Sequence, residues 1–221
     1  MAPQYIQVSL QGIAVEAIVY DSRHHEAVVA DQPNGPASTW PDARAAGATR
    51  RGLGAINAGF FTPEGQPLGL VVTQGQRRGE INRASSLGSG FYTLDSAGSA
   101  SLIRRERFRS AREAIQAGPF LVENRQQVGN LSEKASSART FIATDGSHGW
   151  VLARTGPCSL RQLASALKGA QIGEVSIESA LNLDGGRSSE IWVSGQLPGG
   201  PKLIRPMWNK PVRNFLVLRG K

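Results

Sequence analysis

The chain has 221 residues, 40% of them hydrophobic, with 25 Lys and Arg against 17 Asp and Glu for a formal net charge of +8 at pH 7. That is enough apolar material for a real core, no Gly/Ser- or Pro-rich linker separates two cores, and no apolar stretch reaches the length of a transmembrane helix. The single cysteine, Cys158, excludes an intramolecular disulfide, and the adjacent His24-His25 with a distant His148 gives no metal-ligand spacing.

In chain order, residues 5–10 and 13–20 read as strands around a Gln11-Gly12 turn, residues 27–30 as a short third strand, and residues 31–42 as a Pro-rich loop before a helical turn at 43–46. Residues 53–56 form an apolar strand-like run that ends in Asn57-Ala58-Gly59-Phe60-Phe61. Gln74-Gly75 sits between runs 68–73 and 76–81, and Asp95-Ser96-Ala97-Gly98 between 91–94 and 101–104; both predict hairpins. Residues 111–117 read as a short helix leading into Gly118-Pro119-Phe120-Leu121-Val122. Arg139-Thr140-Phe141-Ile142-Ala143 opens a strand, and 141–144 pairs with 150–153 across a turn. The clearest helix is 160–168, where Leu160, Leu163, Ala164 and Leu167 share one face, with Ser159 as N-cap and Gly169 beyond the end. Residues 175–183 read as one strand and 195–208 as an ordered irregular loop. Hairpins dominate and helices are few, so the prediction is α+β, a single domain over residues 1–221 with mixed or antiparallel sheets and a few flanking helices.

The run at 175–183 breaks into Asn182-Leu183-Asp184-Gly185-Gly186-Arg187-Ser188-Ser189. A carboxylate at the end of a strand is held by a rigid element while it projects into open space. Gly185 and Gly186 admit positive φ and the close approach of a ligand, and Ser188 and Ser189 bring hydroxyls and backbone N–H groups. Taken alone, the segment also reads as a β-turn with a solvated Asp.

The segments beginning at Asn57, Gly118, Arg139 and Asn182, in that order, resemble the phosphodiester glycosidase family, and residues 212–218 fit that family's closing strand. The resemblance implies the same α+β architecture and a hydrolase that releases a free sugar and a phosphomonoester from a sugar-1-phosphodiester. A phosphomonoester, with a second pKa of about 6, departs with its charge already stabilised. Such a site needs one well-held carboxylate and a cation for the phosphate rather than two equivalent carboxylates.

Asp184 is the carboxylate, as nucleophile or as general base for water; the alternative is a turn carboxylate holding the Gly185 and Gly186 amides. Arg139 is the cation, its planar fork matching two phosphate oxygens, with a surface ion pair to Glu133 as the alternative. Asn57 orients the sugar or Asp184, or opens the following loop as an Asx-turn. Thr140 offers a further hydrogen bond or is simply a β-branched strand start, and Phe60 and Phe61 either divide between core and pocket wall or both belong to the core. Asn182 supports Asp184 if the strand continues, or marks a strand-end turn; Gly118 lets the backbone come close where the resemblance puts the site, or is a plain strand-entry turn; and Glu178 is a weaker second acid. Arg187 stands where the family pattern has a third glycine, so it either blocks the pocket or adds a contact to phosphate. Ala143 stands where the pattern has glycine and narrows any backbone approach there.

No P-loop, dinucleotide fingerprint or metal-ligand set occurs, so neither cofactor nor metal is expected. The clusters Arg50-Arg51, Arg77-Arg78 and Arg104 to Arg109 attract anionic partners or form a solvated face. No aromatic-interleaved basic repeat accompanies them, so the expected partner is a phosphorylated glycan or sugar-1-phosphodiester and not nucleic acid. Two other readings are a non-catalytic module for anionic glycans, which Arg187 favours, and a phosphodiesterase cutting the phosphorus–oxygen bond. The first ten residues lack the features of a signal peptide, so export requires a leader already removed and the cytoplasm is the alternative; oligomeric state stays open.

Overall fold

Along Ile13–Asp21, Ile18 and Tyr20 enter one core while Val15, Ala17 and Val19 enter another. Gly149–Thr155 divides in the same way, Trp150 and Leu152 against Val151 and Ala153. Successive strand residues point to opposite faces, and a sheet covered on both faces reads as a continuous apolar run. The computed structural model describes Met1–Lys221, and in it these two strands are central to a seven-stranded sheet. Its order is Gln4–Leu10, Ile13–Asp21, Gly149–Thr155, Thr140–Thr144, Ser179–Asn182, Phe120–Glu123 and Gln126–Gln127.

One face of this sheet carries the helix Leu160–Leu167, which buries Leu163, Ala164, Ala166 and Leu167. The predicted cap is a full capping box: Gln162 N–H donates to Ser159 Oγ at 3.1 Å and Ser159 N–H to Gln162 Oε1 at 2.8 Å. The other face packs on a five-stranded sheet ordered Lys202–Ile204, Ile191–Val193, Gly54–Asn57, Asn214–Gly220 and His25–Asp31. A third sheet, Gln76–Arg78, Val71–Thr73, Glu113–Ala117, Gly90–Leu94 and Ala100–Arg104, adds Val71, Tyr92, Leu94 and Ile115 to the same core. The second helix, Ala43–Thr49, is capped by Asp42, whose side chain accepts from Ala45 N–H at 2.8 Å. Every strand pairing is antiparallel, and no helix is long and apolar enough to cross a membrane.

Three expectations change. The helix expected at 111–117 is the strand Glu113–Ala117, paired on both sides. Its polar side chains find backbone partners that a helix could not reach. Gln116 Oε1 accepts from Leu70 N–H at 3.0 Å and Asn82 N–H at 2.8 Å, while its Nε2 donates to the Asn82 and Gly88 carbonyls, each at 2.8 Å. Gln116→Leu strands these groups and is expected to cost at least about 3 kcal/mol in a urea unfolding series; a loss under about 1 kcal/mol would mean that they find other partners. The run 175–183 is also divided: Val175–Ser176 turns back on Gln171–Ile172, and only Ser179–Asn182 joins the large sheet. The irregular segment 195–208 contains the strand Lys202–Ile204, an edge that pairs with Ile191–Val193.

Candidate active site

The Gly54–Asn57 strand delivers Asn57 to the place where the 182–189 segment leaves the large sheet, and there Asn57 is 0% exposed. Its Nδ2 donates to the Asp184 carbonyl at 2.7 Å, and its Oδ1 accepts from Thr140 Oγ1 at 2.7 Å and from Glu190 N–H at 3.0 Å. Thr140 has one hydroxyl hydrogen and gives it to Asn57, so Ser189 Oγ, 2.9 Å from Thr140 Oγ1, is the donor in that contact. Leu183 N–H donates to the Thr140 carbonyl at 2.8 Å and Asp184 N–H to the Ala58 carbonyl at 2.9 Å. The main chain of Asp184 is thus held by Asn57 and Ala58, and that of Leu183 by Thr140.

The Asp184 side chain is not in open space. Oδ1 accepts from Gly185 N–H at 2.9 Å. Burial pushes its pKa up to about 6, against the Ser188 hydroxyl and the Gly185 amide, which favour the ionised form. The two glycines serve different ends. Gly186 has φ +61°, whereas a Cβ on Gly185 would lie 2.9 Å from the Ala138 carbonyl oxygen, to which Gly186 N–H donates at 2.7 Å.

Arg139 runs past this turn, its Cδ 3.7 Å from where a Gly185 Cβ would stand. Its Nε donates to the Cys158 carbonyl at 3.0 Å and its Nη2 to the Ala135 carbonyl at 2.6 Å. No carboxylate neutralises it, burial lowers its pKa, and Glu133, the ion-pair partner weighed from sequence, is taken by Arg161. Asn182 and Gly118 meet directly: Asn182 Nδ2 donates to the Gly118 carbonyl at 2.9 Å, while Asn182 Oδ1 is buried without a partner. Gly118 precedes a cis peptide bond to Pro119, and a Cβ there would lie 2.2 Å from the Ser86 carbonyl oxygen. Gly118→Ala must push that backbone aside, with an expected stability loss of about 3 kcal/mol; an unchanged melting temperature would show that the Ser86–Gly88 turn yields freely.

Phe60 and Phe61 are both half-buried against the main core, so neither belongs wholly to core or to pocket. The loop they begin is pinned where Arg213, buried and paired with Asp31 at 3.0 Å, donates Nη1 to the Gly65 carbonyl at 2.6 Å. Arg187 is exposed, its Nε donating to the Trp208 carbonyl at 3.0 Å. Ala143 faces the core beneath the Leu160–Leu167 helix. Glu178 belongs to the opposite end of its strand, where its N–H donates to the Thr144 carbonyl at 2.9 Å.

Three residues of this neighbourhood were not singled out from sequence. Glu190 is 0% exposed; Oε2 accepts from Ala43 N–H at 3.3 Å, Oε1 has no partner, and burial pushes its pKa up to about 7. Arg154 donates Nε to the Ser189 carbonyl at 3.2 Å, and the signal for it was a charge in phase with the inward-facing Trp150 and Leu152. Asn214 Oδ1 accepts from Gly59 N–H at 2.7 Å and holds the turn after Asn57. No group of three His, Cys, Asp or Glu side chains comes together as a metal-binding set. A cavity of about 700 Å³ is lined by Cys158, Arg161 and Gln162 and does not include Asp184.

Antiparallel sheets converge here on one partly desolvated carboxylate, with an amide hub behind it and an unneutralised guanidinium alongside. The phosphodiester glycosidase family model matches residues 51–219, and the chain belongs to that family. Membership supports a glycosidase-like role. The fold superposes on the catalytic domain, auto-inhibited by pro-peptide, of zebrafish N-acetylglucosamine-1-phosphodiester alpha-N-acetylglucosaminidase with TM-score 0.68 at 16% identity, covering 100% of this chain and 83% of that one. A hypothetical protein from Synechocystis gives TM-score 0.65 at 17% identity over 98% of this chain and 61% of its own. In sequence, 78 residues are 31% identical to the uncharacterized protein YigE of Escherichia coli (strain K12), 32% of this chain and 31% of that protein. The match therefore spans about a third of that curated relative. At such identities the likeness to the solved structures is one of fold.

Proposed function

We propose that this chain hydrolyses the glycosidic bond of a sugar-1-phosphodiester, releasing free sugar and a phosphomonoester. The observation that carries the reading is Asp184, a single carboxylate with its pKa pushed up to about 6, its main chain clamped through Asn57 and Ala58, in a member of the phosphodiester glycosidase family. Above that pH it is ionised, and it either attacks the anomeric carbon or takes the proton of a water that does so. The carbon–oxygen bond to phosphate breaks as the new carbon–oxygen bond forms, and the phosphate keeps the electron pair. With a second pKa of about 6, that leaving group departs without a strong acid behind it. Arg139 is the cation of the proposal: Nε and Nη2 hold carbonyls, and Nη1 donates to no protein acceptor, which leaves it for a phosphate oxygen. Asn57 is a positioning residue, because both ends of its amide are spent on the backbone of Asp184 and Glu190 and on Thr140.

A second reading, a non-catalytic module for anionic glycans, is favoured by one observation. Arg187 is tied to a loop whose Trp208 and Met207 are 70% and 87% exposed, so a cation stands beside an uncovered aromatic surface. The test is free-sugar release from a panel of sugar-1-phosphodiesters in ¹⁸O-water, wild type beside Asp184→Asn. Label in the sugar, from the wild type alone, is the expected result. Label in the phosphate would mean cleavage at phosphorus, and saturable binding without turnover would select the binding module.

A further inference from the structure

A cavity of about 230 Å³ lies between the second and third sheets, walled by the Val28–Val29 backbone, Arg50, Arg112, Arg219, Gln74 and Glu113. It is separate from the Asp184 region. On the closing strand Phe215 pairs with Asn57 and Arg219 with Glu26, which puts the cavity about 13 Å along that strand from the Asn57 end.

Its charges do not balance locally. Arg112 and Arg219 share one carboxylate: Glu26 accepts from Arg219 Nη2 at 2.8 Å and also from Arg112 Nη2. Arg50 makes no ion pair; its guanidinium lies over the Trp40 ring at 4.9 Å, and burial, with Arg219 nearby, lowers its pKa. Glu113 does not supply the missing acceptor. Its oxygens accept from Val29 N–H at 3.1 Å and Gln74 N–H at 3.2 Å and from no guanidinium, and burial raises its pKa against those amides and the nearby Arg112 and Arg50 charges. The Nε groups of Arg50 and Arg112 are buried without acceptors. A buried N–H without an acceptor costs about 1–3 kcal/mol, more when charged, and neither Nη of Arg50 has a protein acceptor, so the guanidinium ends that line this cavity carry positive charge without a local partner.

We infer that this cavity is a second binding site, for the phosphate group of a phosphomonoester, built on Arg50, Arg112 and Arg219. Several guanidiniums that converge from different elements match a tetrahedral anion with three or four oxygens better than a carboxylate with two. The volume exceeds a bare phosphate and leaves room for part of the esterified group.

The experiment is a titration of the whole wild-type protein, ¹⁵N-labelled at arginine, with inorganic phosphate and with glucose 6-phosphate at constant ionic strength. Backbone-assigned side-chain Nε–Hε signals are the readout. Saturable shifts at Arg50 and Arg112, with glucose 6-phosphate binding at least as tightly as phosphate, are expected. Arg50→Gln is expected to weaken binding at least tenfold, and Asp184→Asn to leave it unchanged. Shifts confined to Arg139, or linear shifts at every exposed arginine, would overturn the inference, as would a cavity that takes inorganic phosphate and excludes the ester.

Discussion

Asp184→Asn is expected to lower sugar release by about 10²–10⁴-fold, the usual contribution of a positioned acid–base group, with the loss in kcat. The wild type is expected to show a rising limb in kcat/KM with a midpoint near pH 6, because the ionised carboxylate is the working form and burial sets its pKa there. The same burial gives the variant an opposite signature in stability. The folded pKa of Asp184 is raised from 3.8 to about 6, so the folded state is unpenalised below pH 4 and loses stability as pH rises through 6. The full loss is about 3 kcal/mol at about 1.4 kcal/mol per pKa unit. Asparagine keeps an oxygen for Gly185 N–H without the charge. Asp184→Asn should therefore be less active and, at pH 8, more stable. Retained activity would remove Asp184 from the mechanism, and lost activity with a lowered melting temperature would mean that the fold had been damaged instead. A carboxylate that destabilises its own fold is a common trade between stability and activity.

Glu190→Gln is expected to flatten the pH dependence of stability over the neighbouring window. Burial is the first cause of the raised pKa, from 4.5 to about 7; Ala43 N–H and Arg205 oppose it and Asp42 adds to it. The cost of ionising Glu190 is absent below pH 4.5, grows through pH 7 and reaches about 3 kcal/mol above it. In guanidinium unfolding at pH 4 and pH 8, wild type and Glu190→Gln should coincide at the lower pH, with the variant more stable at the higher. Equal slopes in the two proteins would show that Glu190 ionises freely. Because Asn57 bonds both the Glu190 N–H and the Asp184 carbonyl, the Glu190→Gln and Asp184→Asn effects are not expected to add.

What the sequence determined by itself was local. The Ser159/Gln162 box and the apolar face of Leu160–Leu167 depend on residues three and four apart, and the hairpins at Gln11-Gly12, Gln74-Gly75 and Asp95 to Gly98 depend on their turns. The order of motifs from Asn57 to Ser189 gave the family, and the α+β architecture followed from hairpins outnumbering helices. The tertiary structure alone decided what the polar residues do. Residues 111–117 have a helix-like composition, but Gln116 and Glu113 serve backbone groups of segments 28 to 84 residues away, and those bonds hold the segment as a strand. Asp184 looked like a projecting carboxylate because it follows directly on the end of a strand; the backbone clamp from Ala58 and Asn57 and the Gly185 N–H leave it half-buried instead. Glu190 and Asn214 gave little sign of their places, and Arg154 only its phase with Trp150 and Leu152, since burial of a polar group depends on partners from distant strands. Periodicity and capping act over one or two turns of chain, whereas the hydrogen bonds that satisfy a buried carboxylate or amide exist only once the sheets have met.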